Sequence, residues 1–138
     1  MQGKFERAEG EPNIKPFKKK ASTAFSWGDP VYVDSNGFLD LAVAATTAAS
    51  IVGVILETIA STDSDYASTR MVAVDVPRKG DNGDLFRAQI GTGTAAQTYV
   101  GETHDLTSGS KVDLSATSTN VIKVQRFLTT TEVLVSFE

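Results

Sequence analysis

The chain contains no cysteine among its 138 residues. That removes disulfide frameworks, thiol nucleophiles and cysteine-ligated zinc. Histidine occurs once, as His104, so a histidine-based metal site would have to be completed by carboxylates alone. Within GETHDLT that histidine reads as a loop or turn residue rather than a catalytic one. There is no run of about 18 apolar residues, so nothing reads as a membrane-spanning helix. The opening MQGKFERAEGEPN carries three glutamates and no apolar core, unlike a secretory signal. The expectation is a protein made in the cytoplasm and working there or in something assembled there. Helix is scarce too. Ala44–Ser50 is short and lacks an apolar stripe, and TAAQTYVGE (94–102) allows about two turns, below the length at which a helix stands alone. No internal repeat is present.

What the chain does have is Val, Thr, Ser and Ala in apolar runs of strand length separated by turn residues, the pattern of an all-β sandwich or barrel. WGDPVYVDSNGFLDLAV reads as two strands joined at Asn36-Gly37, with Pro30 at a strand's first position, where its missing N–H does no harm. SIVGVIL (50–56) is a buried strand in which Gly53 marks a bulge or a close backbone approach. STDSDYAST (61–69) is a surface loop. In RMVAVDVP, Val72, Val74 and Val76 share one face and Pro77 ends the strand. LFRAQIG groups Phe86, Ala88 and Ile90. NVIKVQRFL and TTTEVLVSFE form a hairpin across Thr129–Thr131, with Val133, Val135 and Phe137 on one face.

Chemical motifs are few. GTGTAA (91–96) matches the G-x-G-x-x-A dinucleotide fingerprint, and Asp113 follows at the spacing of a ribose-binding acid. The crossover helix that fingerprint needs is interrupted by Gly101, so the stretch reads as a strand-ending turn. DSDY (63–66) and DNGD (81–84) lack the spaced ligands of a calcium loop and read as Asx turns. Nothing resembles a G-x-S-x-G nucleophile elbow. No cofactor, metal or catalytic residue is expected.

Charge is unevenly placed. Residues 1–20 carry six basic side chains (Lys4, Arg7, Lys15, Lys18, Lys19, Lys20) against three glutamates, whereas the remainder carries seven basic against fourteen acidic ones. NIKPFKKKASTAF thus reads as part of a basic, proline-punctuated N-terminal arm, residues 1–24, on an acidic β domain, residues 25–138. Basic arms bind phosphate, but an acidic body repels the same polyanion, so direct nucleic-acid binding is not expected. A strap suits the pattern better. Phe5, Ile14 and Phe17 would dock in a partner's grooves while Arg7, Lys15, Lys18, Lys19 and Lys20 meet rim carboxylates. The alternative is a disordered tail. Deleting residues 1–20 is then expected to leave a folded domain.

GDPVYVDSNGFL, IVGVILET and the run GDLFRAQIGTGTAAQTYVGETHDLTSGSKVDLSATSTNVIKVQRFLTTTEVLVSFE together resemble the decoration, or cement, proteins of tailed-phage capsids. The resemblance covers roughly residues 25–138 and leaves residues 1–20 outside it. It implies a non-enzymatic protein on the outer surface of the expanded shell, clamping neighbouring major capsid protein subunits as a homotrimer, or alternatively a dimer. An arm of twenty extended residues spans at most about 70 Å, enough to cross a subunit boundary. Two other classes remain open from sequence. One is a virion adaptor or tail-associated protein present in few copies; the other is a carbohydrate-binding module using Trp27, whose position at a strand entry favours packing instead.

Overall fold

The alternation of buried and exposed residues along the C-terminal half closes a small barrel. The computed structural model describes residues 5–107 and 110–138. Strands β7 (Leu85–Thr92), β8 (Thr103–Leu106), β9 (Val112–Asp113), β10 (Ile122–Thr129) and β11 (Glu132–Phe137) run in the order β7-β11-β10-β8-β9. A parallel β9–β7 pairing, Ile90 with Val112, completes the ring. β10 and β11 form the expected hairpin. Val133, Val135 and Phe137 are buried in its core, where Phe137 meets Phe86 edge to face at 5.3 Å.

A second sheet holds β2 (Ile14–Lys18), β6 (Met71–Asp75), β5 (Ile51–Ile55), β3 (Pro30–Val33) and β4 (Leu39–Leu41), in that order. Pro30 opens β3 as expected, and the β3–β4 turn is braced by Asp34, whose Oδ1 accepts the N–H groups of Asn36 and Phe38. Val72 and Val74 join Phe25, Val31, Leu39, Ile55 and Ile59 in a second core. The fold is all-β and a single small domain, and β5 welds its two halves. Ile51 and Val54 belong to the barrel's core and Ile55 to the second one. Both readings of Gly53 hold. The β3–β5 register slips between Val31 and Tyr32, and a Cβ on Gly53 would lie 2.2 Å from the Asp75 carbonyl.

Residues 5–20 are not a free arm. Residues 5–20 form β1 (Phe5–Glu9), which pairs with β7 on the barrel, and β2, which pairs with β6 on the second sheet. The reason is that two of its apolar groups find places in the body's own cores. Phe5 is fully buried and stacks obliquely on Phe137, while Phe17 packs against the second core. The part of the expected arm comprising residues 1–4, Lys4 included, lies outside the described residues. Two smaller expectations also change. TAAQTYVGE makes only one 3-10 turn, Gln97–Tyr99. His104 sits in strand β8, buried, rather than in a loop.

Candidate functional site

Four of the eight residues assigned to the strap are used inside the fold. Arg7 reaches from β1 to the second sheet, where its Nε and Nη2 donate to the Asp75 carboxylate at 2.8 and 2.6 Å. Its Nη1 lies 2.9 Å from Asp84, off hydrogen-bonding geometry, and its guanidinium stands 5.0 Å from the Phe86 ring centre. Its hydrogen bonds to Asp75 hold the Arg7 guanidinium above its already high range. Asp84 also accepts from the Arg78 guanidinium and backbone. Gly10 turns at φ +96° over this carboxylate, because a Cβ there would fall 2.1 Å from Asp84 Oδ1. Phe5 is core. Lys19 is fully buried, and its Nζ donates to the carbonyls of Tyr66 and Ser68 at 2.9 and 2.5 Å. Phe17 is half-buried and turned inward.

Ile14, Lys15, Lys18 and Lys20 remain on the surface. Lys20 pairs with Asp40 at 3.0 Å, which raises its pKa. Lys15 and Lys18 have no ion-pair or hydrogen-bond partner among the described residues. Strand pairing decides which way each points. Lys15 lies opposite Val74 and Phe17 opposite Val72, on the second core's side; Ile14, Pro16 and Lys18 lie opposite Asp75, Ala73 and Met71 on the outer face. Ile14 and Met71 are 58% and 54% exposed, two of the four large exposed apolar side chains among the described residues.

The β2 edge has its own chemistry. Asn13 accepts from Val76 N–H and Lys19 N–H donates to the Arg70 carbonyl, so odd-numbered residues face β6. Even-numbered ones therefore point away from β6; Lys20 N–H donates to the Leu39 carbonyl of β4 at 2.9 Å, where a parallel bridge joins Lys19 to Leu39, and the edge is open before that point. Pro16 is among the even-numbered residues, and it has no N–H to offer. Proline and flanking lysines on an open edge discourage pairing with another strand. The composition of KPFKK suits such an edge as well as it suits a strap, so the sequence pattern does not separate the two roles.

Beside the outer face lies a cleft of about 250 Å³. Phe5, Val54 and Phe86 form its buried floor, Ile14, Trp27 and Leu56 its more open walls, and the Arg7–Asp75 pair lies within it. Met71, Trp27 and Leu56 come from segments far apart in sequence, so no linear pattern announces this surface. Elsewhere, His104 Nε2 lies 3.1 Å from Glu102, its ring meets Tyr99 edge to face, and its Nδ1 has no hydrogen-bond partner among the described residues. Among the described residues no group of three or more His, Asp or Glu side chains is arranged to hold a metal. No protein-family model matches the chain, and no curated protein shows significant similarity to it.

Proposed function

We propose that the chain is a capsid decoration protein of a tailed phage. In this reading it sits on the outside of the expanded shell as a homotrimer, or alternatively a dimer, and clamps neighbouring major capsid protein subunits without chemistry. The observation that carries the reading is the outer face of β2 with its neighbour β6. Among the described residues the side chains of Ile14, Lys18 and Met71 belong to neither core and make no ion pair, and they offer an apolar and cationic contact surface. The resemblance supports it as well, since the long run from Gly83 onward supplies the barrel strands β7 to β11. Weak individual contacts suffice, because a closed lattice of sites multiplies them.

The strap form of the hypothesis gives way to a rigid one. Contact is made by a folded strand, so point substitutions rather than a deletion test it. Undecorated expanded capsids of the same virus are mixed with the protein and sedimented. Saturable binding at hundreds of copies per particle supports the reading. Absence of binding refutes it, and a dozen copies would indicate an adaptor instead.

A further inference from the structure

The outer face of the second sheet and the cleft beside it form one surface with a direction. Its floor is apolar, and its internal charges, Arg7 and Asp75, neutralise each other. Glu6 lines the cleft itself, whereas Lys18, opposite Met71, stands outside its lining, four residues along the outer face of β2 from Ile14. Neither makes an ion pair with a described residue. We propose that this surface binds an extended acidic segment of another protein, one bulky apolar side chain filling the cleft and the carboxylates lying on the Lys18 side. The proposal rests on the decoration reading and adds to it the chemistry of the partner segment.

Three observations fix the occupant. A cleft of about 250 Å³ is below the roughly 300–1,000 Å³ of sites for drug-sized ligands and suits a single aromatic or large aliphatic anchor. A carboxylate beside Glu6 would meet like charge, whereas one beside Lys18 meets its opposite, so the acidic flank has one side to lie on. Pro16 removes the middle one of the three outward N–H positions of β2, so side chains laid across the face carry the contact rather than an added strand. A single-stranded nucleic acid fits less well. Phe17, the aromatic among the lysines, is turned toward the second core and is not presented as a stacking platform.

Trp27 is the only tryptophan and lines the cleft, so its shielding from acrylamide quenching reports occupancy. The full chain is titrated with three probes: a short peptide of acidic residues around one phenylalanine, the same peptide with alanine in that place, and a single-stranded oligonucleotide of matched charge. Capsid co-sedimentation runs alongside. The phenylalanine peptide is expected to shield Trp27 and the alanine peptide to bind more weakly. Ile14→Asp and Lys18→Glu, with melting curves confirming their folding, are each expected to weaken both peptide and capsid binding about tenfold, equivalent to 1.4 kcal/mol. Shielding without capsid binding would keep the surface and remove the decoration reading. Capsid binding with Trp27 still quenched and both variants unaffected would remove the surface and keep that reading. Stronger shielding by the oligonucleotide, or no shielding by any probe or by capsids, would overturn the proposal.

Discussion

Replacing Arg7 with methionine should destabilise the domain more than any other surface-derived substitution in its first twenty residues. The side chain is 11% exposed, and its partners Asp75 and Asp84 are 5% and 1% exposed. Removing one partner of a buried ion pair typically costs about 3–5 kcal/mol, because the other charge stays behind without compensation. Asp84 keeps the Arg78 guanidinium and backbone N–H, but Asp75 keeps only a 3.2 Å bond from Asn13 N–H. Methionine also preserves most of the stem's packing against Phe86. The expected loss is therefore near the lower bound, about 3 kcal/mol, against a total stability of about 5–15 kcal/mol for a domain. Urea unfolding at neutral pH, followed by Trp27 fluorescence and far-UV circular dichroism, measures it. The double variant Arg7→Met with Asp75→Leu strands no carboxylate at the second sheet and should recover much of the loss. A single-variant loss below about 1 kcal/mol, the range of exposed pairs, would refute the account. So would a double variant no more stable than the single one.

Deleting residues 1–20 should leave a chain that binds a hydrophobic dye and lacks a cooperative melt, because it removes Phe5 from the barrel core and a whole edge strand from each sheet; a sharp melt would refute this. Stability should fall as pH drops below about 4, the ordinary aspartate range. Burial alone would push the carboxyls of Asp84 and Asp105 up, but hydrogen bonds outweigh it. Those from Arg78, together with the adjacent Arg7 charge, hold Asp84 down, and those from Asn120, Thr119 and Ser118 hold Asp105 down. A depressed folded pKa gives stability that is complete above the unfolded value and is lost as pH falls through the folded one. Asp105→Asn should accordingly flatten the acid limb of stability measured by urea titration, and an unchanged slope would contradict it. Substituting Pro16→Val together with Lys18→Val restores an N–H to the β2 edge and removes a charge. Gel filtration should then show concentration-dependent association without loss of the monomer's melting temperature. Gly53→Ala sets a methyl against the Asp75 carbonyl and should cost at least about 1–3 kcal/mol, the range for overpacking, read from the urea midpoint.

Local pattern was enough to find most of the strands. Alternation in RMVAVDVP and in TTTEVLVSFE picks out Val72, Val74, Val133, Val135 and Phe137 for the cores, although Asp75, Leu134 and Ser136 between them are buried too, and Pro30, Gly53 and Asn36-Gly37 punctuate the chain as their backbone chemistry requires. The N-terminal residues misled for a physical reason. A lysine-rich, proline-bearing segment looks solvated because an open edge strand is solvated on one side, and the same composition serves both states. Arg7 and Lys19 were counted as charges available to a partner; their partners, Asp75, Asp84 and the Tyr66 and Ser68 carbonyls, lie 47 or more positions away. The cleft was illegible because its walls come from β1, β2 and the chain around Trp27 and Leu56, and only the approach of the two sheets creates it. His104 was misplaced because THDL is too short and too polar to announce a buried strand.

The last strand of the chain is not at the rim of its sheet. β11 lies between β10 and β7, and β1, the first, pairs with β7 some 80 positions later. During synthesis the second sheet can assemble while the ribosome is still at work, but the barrel has no closed form until Phe137 has emerged. Phe5 meanwhile waits for a seat that does not exist. Assembly of this half therefore waits for β11, with long loops to close before long-range pairing is rewarded. A stalled or clipped chain would expose the apolar interior of β7 and β10, and cellular quality control would have a clear mark by which to tell unfinished copies from finished ones.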